Sequence, residues 1–174
     1  MATPKLIGLC GRAGSGKDTV AEFLYIRGRF AQYAMAKPLK DALKAMGIFE
    51  PARDQKELPL PGRAYSYRQA AQTLGTEWAR NLDPDFWINL AEQNVARFLS
   101  EGRSVVITDI RFENEEKFVR KHGGVIWQVV GRSAELGGAS GHVSEQYRPE
   151  ADLIIDNSGT LNQLELMIQQ ILEK

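Results

Sequence analysis

The strongest constraint on this chain lies near its start, where the apolar run Lys5 to Cys10 passes into GRAGSGKDT and then into Val20, Phe23 and Leu24 at helical spacing, up to Ile26. An apolar run without alternation reads as a strand covered on both faces, as in a parallel sheet. Strand, glycine-rich turn and helix in that order predict an α/β fold. Gly11, Gly16 and Lys17 also keep the spacing G-x-x-x-x-G-K-[ST]. In that pattern glycines let backbone N–H groups converge on phosphate oxygens, the helix presents its positive end, and lysine neutralises β and γ charge. The residues expected to cradle phosphates are therefore Gly11, Arg12, Ala13, Gly14, Ser15, Gly16, Lys17, Asp18 and Thr19.

One position departs from the pattern. Asp18 stands where serine or threonine is usual, and Thr19 supplies a hydroxyl one residue late. A carboxylate here is tolerable if it binds magnesium or its water shell, pairs with an arginine, or sits in the positive first turn of the helix. The spacing G-x-G-x-x-G of dinucleotide-binding turns is absent.

The rest of the chain alternates strand and helix. Phe30 to Met35 reads as a short strand, and Pro38 opens a helix over Leu39 to Met46. Ile48 to Tyr67 holds three prolines and no clear period, so a long loop is expected. Helical patterning returns over Arg68 to Arg80 and Asp85 to Leu99, divided by NLDP. SVVIT, Ser104 to Thr108, is the clearest buried strand, followed by a polar helix over Glu113 to His122. Strands at Val125 to Val130 and Ala151 to Asp156 and a helix at Leu161 to Leu172 complete the chain. The expectation is a three-layer α/β fold: a mainly parallel five-stranded sheet, helices on both faces, and ligands at the strands' carboxyl ends. The Gly/Ser-rich stretch over about 132–149 reads as a mobile lid.

Composition excludes several classes. At 174 residues, 43% hydrophobic and 25% charged, the chain suits one domain, 1–174, rather than two. Lys plus Arg (22) equals Asp plus Glu (22), so no global field draws it to nucleic acid or anionic membrane. A single cysteine, Cys10, allows no internal disulfide and fits a reducing compartment, so a cytoplasmic protein is expected. No eighteen apolar residues follow one another and the N-terminal run is too short for a signal peptide. With His122 and His142 as its two histidines, the chain does not supply the usual four ligands of a structural zinc.

Asp109 ends the apolar strand, as expected of the acidic residue that holds magnesium in phosphate-loop enzymes; a turn-forming aspartate is the plainer reading. Arg111 follows at the same end of the sheet, either as a planar phosphate donor or as a solvated surface residue. The sequence after Asp109 is Ile110-Arg111-Phe112, which lacks both the D-x-x-G of GTPase switches and the Asp-Glu of water-activating ATPases; N-K-x-D is missing too. Phosphate transfer to a small acceptor is what these absences leave. Such transfer needs cations around the moving group and exclusion of water. Arg12, Arg68, Arg111 and Arg132 are the candidates, the last at the start of the expected lid.

With these residues assembled, the chain resembles the phage-type deoxynucleoside monophosphate kinases, within the nucleoside monophosphate kinase group. The resemblance rests on GRAGSGKDT, AKPLKDAL (36–43), RQAAQTLGTEW (68–78) with FWINL soon after, TDIRFENE (108–115), GHVSE (141–145) and ADLIIDNSGTL (151–161). It implies ATP and magnesium as cosubstrates and a deoxynucleoside monophosphate as acceptor, in the cytoplasm (a host's, for a phage protein), with no nucleic acid or membrane partner. A homodimer is compatible with it. By the same resemblance Arg12, Gly14, Lys17, Asp18 and Thr19 hold ATP phosphates and metal, the metal falling to Asp18 and Asp109. Lys40, Arg68, Gly75, Thr76 and Trp87 form the monophosphate pocket within a helical region of about 36–100, and Gln72, one turn before Thr76, is open to reading a base edge or to plain solvation. Asp109, Arg111 and Glu115 stand beside the reacting centre, and Arg132 enters the lid. Lys17, Asp109, Arg111 and Arg132 are the catalytic set. Trp87 and Phe86 are adjacent on one helix, so they diverge and Trp87 is open to both a base-stacking and a core role. Kinases of dephospho-coenzyme A or phosphomevalonate type, or a non-catalytic ATP-binding module, are the alternatives. The segment Ile48 to Tyr67 is shorter than its counterpart in a member of that family.

Overall fold

The computed structural model describes residues 5–131 and 147–173. Arg132, His142, GHVSE and residues 132–146 of the expected lid lie outside the described residues. Five strands form one sheet: β1 (Leu6–Cys10), β2 (Ala31–Tyr33), β3 (Val105–Ile107), β4 (Val125–Val130) and β5 (Leu153–Asp156). Their order is β2-β3-β1-β4-β5 and every pairing is parallel, with Leu6 opposite Val105, Ile7 opposite Val125 and Trp127 opposite Leu153. β1 is central and all five of its residues are buried, which is why it reads as a continuous apolar run.

Alternation along β1 assigns the two faces. Ile7 and Leu9 join Val20, Ala21 and Leu24 of α1 (Lys17–Gly28) and Leu164 and Ile168 of α7 (Leu161–Leu172) in the main core. Gly8 points the other way, where its missing side chain makes room for Ile110, Ile126 and Val119 of α6 (Glu113–Lys121). Each fully buried Leu, Ile or Val contributes about 1.5–3 kcal/mol relative to exposure, so this two-sided burial fixes the layer order. α1 ends at Arg29, which takes the left-handed conformation (φ 55°) and donates its N–H to Tyr25 O, while Gly28 is still helical.

By internal packing the chain divides into two compact units, Met1–Ala34 with Ala91–Lys174, and Met35–Leu90. The first holds the sheet. The second has its own cluster of Leu43, Ile48 and Tyr67, with Leu39, Leu60, Tyr65 and Leu74 packed against it. Its first helix, α2 (Lys37–Ala45), opens on Pro38. The long segment after it is ordered by a 3-10 turn at Arg53–Gln55 and an antiparallel bridge between Pro59 and Ser66. Ser66 and Gln69 then form a reciprocal capping box that starts α3 (Tyr67–Gln72). The expected Arg68–Arg80 helix is helical but not uniform, since Thr73–Trp78 is a π-helix before α4 (Ala79–Leu82). The next helix, α5 (Phe86–Ser100), begins in this unit, and its Trp87 donates its indole N–H to the carbonyl of Gly75 at 2.7 Å. A side-chain donor engaging a carbonyl of that widened turn is a recognised way for the regular ladder to be broken.

Candidate functional site at the carboxyl end of the sheet

The phosphate loop leaves β1 at Gly11 and enters α1 at Lys17. Two glycines are required by geometry. Gly11 has φ 142° and a side-chain carbon there would lie 2.4 Å from Val129 O; Gly16 has φ 97° and would meet the Asn157 amide nitrogen at 2.1 Å. Among the described residues no side chain caps α1, so its first N–H groups remain available to an anion. Asp18 is exposed in that first turn. A cleft of about 250 Å³ beside the loop is lined by Arg12, Ala13, Ser15, Gln128 and Val129 to Gly131.

Lys17 is only 9% exposed, and its ammonium is held at the loop's own edge. Nζ donates to Gly11 O at 2.8 Å and Arg12 O at 3.0 Å, and lies 3.7 Å from Asp109 Oδ1. Asp109 reaches this place because the strand ladder continues past β3: Thr108 N–H donates to Tyr33 O and Ile110 N–H to Leu9 O. Its other oxygen, Oδ2, accepts Arg111 Nε at 2.6 Å. One carboxylate thus stands between the loop lysine and an arginine. Asp109, Lys17 and Arg111, picked from two distant stretches of sequence, are brought together.

Glu115 behaves differently from a surface carboxylate. It is 3% exposed and its Oε2 accepts the backbone N–H of Arg111 at 2.7 Å and of Phe112 at 3.2 Å, so it caps the start of α6 and fixes the backbone that carries Arg111. Where the described chain resumes, Tyr147 Oη donates to Glu116 Oε2 at 2.7 Å, and Arg120 donates to Glu150 O and pairs with Asp152. Burial, then this hydrogen bond to Glu116, pushes the Tyr147 phenol up to about 12.

The remaining expected residues lie in the unit Met35–Leu90. Lys40 pairs with Glu50 at 3.0 Å, and Glu50 also accepts Lys56. Arg68 pairs with Glu57. Gly75 is buried in the π-helix, with Thr76 beside it and Gln72 at the end of α3. Trp87 is buried, stands edge-on to Phe86 (4.9 Å between ring centroids), and spends its N–H on Gly75.

Asn157 is a residue that sequence reasoning missed as an individual. It follows β5, is 3% exposed, and donates Nδ2 to Ser15 O at 2.8 Å. Its neighbourhood, DNSGT after an apolar strand, was visible; its contact with a loop 142 positions away was not. Among the described residues no group of three or more His, Cys, Asp or Glu could hold a metal ion unaided. No helix among them is long and apolar enough to cross a membrane.

An all-parallel sheet in this order, with a phosphate loop between its central strand and the next helix and an aspartate facing the loop lysine, defines a P-loop phosphotransferase of the small-molecule kinase class. The fold agrees with that of a dephospho-CoA kinase from Campylobacter jejuni, at TM-score 0.54 over 98% of this chain and 96% of that one, although only 13% of residues are identical. Sequence narrows the class. Residues 5–63 and 54–168 match the deoxynucleotide monophosphate kinase family, and the chain belongs to it. A putative deoxynucleotide monophosphate kinase of Acanthamoeba polyphaga mimivirus is 31% identical over 71% of this chain and 72% of its own length. The deoxynucleotide monophosphate kinase of Escherichia phage RB69 is 33% identical over 62% of this chain, which spans 45% of that longer protein.

Proposed function

We propose that the chain transfers the γ-phosphate of ATP to the phosphate of a deoxynucleoside monophosphate, giving ADP and a deoxynucleoside diphosphate. The observation that carries this reading is the convergence of Lys17 and Arg111 on Asp109 at the mouth of an uncapped helix N-terminus, in a chain of this family. Lys17 exchanges its loop carbonyls for β and γ oxygens of the nucleotide, and Arg111 and Arg12 supply donors to the moving group. An arginine acting on the transition state of such a transfer is worth about 10³-fold or more. The attacking phosphate is already ionised near neutral pH, so Asp109 acts by placing charge rather than by removing a proton.

Magnesium fits the donor set. This ion is commonly bound through one or two carboxylates, with phosphate oxygens and water completing its shell, and Asp109 with Asp18 supplies that number. When bound it would neutralise phosphate charge as that charge shifts during transfer. We assign the acceptor to Met35–Leu90, with Lys40, Arg68, Gln72, Gly75 and Thr76 as its contacts and Trp87 holding Gly75 in place. Lys40 and Arg68 are paired with Glu50 and Glu57, and the acceptor's phosphate takes over part of that pairing. The reading places the enzyme in the cytoplasm.

The test is ADP formation with ATP, magnesium and each deoxynucleoside monophosphate in turn, alongside dephospho-coenzyme A and phosphomevalonate. Turnover with at least one deoxynucleotide, well above either of the other acceptors, is expected. Absence of turnover with all of them would overturn the assignment.

A further inference from the structure

We propose that Asn157 is a positioning residue for the phosphate loop: its side chain, arriving from the carboxyl end of the edge strand β5, holds the loop in the shape that receives the nucleotide's phosphates. The proposal rests on the kinase reading for its catalytic consequence, but its geometry stands on contacts within the sheet unit. Nδ2 donates to the Ser15 carbonyl at 2.8 Å, and that bond alone identifies which end of the amide faces the loop. The same nitrogen fills the space in front of Gly16, where a side-chain carbon would come within 2.1 Å of it. Asn157 is itself fixed by its backbone N–H, which donates to Val130 O at 2.7 Å and extends the β4–β5 ladder. The clamp is therefore anchored in the sheet at one end and in the loop at the other.

The chemistry of the position selects asparagine. The loop must aim its N–H groups at an anion, which turns carbonyls such as that of Ser15 inward, where water does not satisfy them. A donor without positive charge is needed, since a cation buried there would compete with Lys17 for the phosphates. Aspartate of the same shape would set a carboxylate oxygen against the Ser15 carbonyl. Two buried polar atoms close to this contact, Asn157 Oδ1 and Ser15 Oγ, have no partner among the described residues. Buried polar groups are rarely left so without a functional reason or an ordered water. The clamp thus acts on the donor nucleotide through Ser15 and Gly16.

The test compares wild type with Asn157→Asp, Asn157→Ala and the milder Asn157→Ser. Two measurements are made, ATP and ADP binding by calorimetry in magnesium and amide hydrogen exchange of the nucleotide-free protein. Expected are a rise of about tenfold or more in Kd for both nucleotides, for a buried acceptor left unpaired. Exchange should quicken over residues 11–17 while β1 and the body of α1 stay protected, and KM for the monophosphate should change less than twofold. Unchanged nucleotide affinity and unchanged loop exchange would overturn the proposal. So would exchange that rises across the whole sheet unit, or a loss of binding accounted for entirely by a smaller folded fraction, because a merely structural residue gives those results. If wild type binds no ATP, the kinase reading fails, and the exchange pattern alone decides whether Asn157 holds the loop.

Discussion

Replacing Glu115 separates two roles that one residue can play. The carboxylate is 3% exposed and accepts two backbone N–H groups, those of Arg111 at 2.7 Å and Phe112 at 3.2 Å. Charge-assisted bonds of this kind contribute about 1.5–3 kcal/mol when short, and less at the longer distance. Glu115→Ala removes both and strands their donors at the start of α6, so a loss of about 2–4 kcal/mol is expected. For a chain of this length that corresponds to a fall in melting temperature of about 5–15 °C. Glu115→Gln keeps an acceptor oxygen in the same place and gives up only the charge, which costs about 1 kcal/mol. Thermal and urea unfolding measure the stabilities, and acceptor KM and kcat are read on the same preparations. Because the cap fixes the backbone of Arg111, kcat should fall with stability, steeply in Glu115→Ala and mildly in Glu115→Gln. A Glu115→Gln protein that melts like wild type but has lost most acceptor affinity would refute the capping argument and return Glu115 to direct substrate contact.

Trp87→Phe keeps most of the ring and deletes the donor to Gly75 O, so about 1–3 kcal/mol of stability should be lost; quickened hydrogen exchange over residues 73–82 is the check, and unchanged exchange would show that the indole bond does not hold the π-helix. Burial pushes the Cys10 thiol up to about 11, so it stays protonated at pH 8 and should resist alkylation in the native protein while reacting readily in denaturant, as followed by mass spectrometry. Burial raises the Glu50 carboxyl, but its hydrogen bonds from Lys56 and Lys40 outweigh this and hold it below its ordinary 4.5. Its contribution is therefore complete above pH 4.5 and is lost as pH falls through the lower folded value. Glu50→Gln should flatten the acid limb of a stability profile in that window, and an unaltered limb would show the cluster to be irrelevant to acid unfolding.

Much of this molecule was legible in local sequence, for reasons that are themselves local. An apolar run buried on both faces announced β1, SVVIT announced β3, and the glycine spacing between β1 and α1 announced an anion site, because the positive φ taken at Gly11, Gly14 and Gly16 is a local preference of glycine. The expected strands at Phe30 to Met35, Val125 to Val130 and Ala151 to Asp156 correspond to β2, β4 and β5, with ends differing by a residue or two. Less legible was the π-helix inside Thr73–Trp78, since its 3.6-like patterning is indistinguishable from that of an ordinary helix and the Gly75–Trp87 contact that accompanies it lies twelve residues apart. Glu115 too escaped the capping signature, which looks for a hydroxyl or amide three residues earlier, where this chain has Phe112.

By itself, then, the sequence determined the succession of strands and helices along the chain, the phosphate loop and the residue kinds at the strand ends, all of which follow from periodicity and from the backbone freedom of single residues. Only the tertiary structure decided that β1 lies between β3 and β4, and so that Asp109 comes to Lys17 and Asn157 comes to Ser15. Strand order is a choice among packings of similar local patterns, made by the combined burial of the two sheet faces, and no short stretch of chain encodes it. Contacts between residues far apart in sequence exist only once that choice is made.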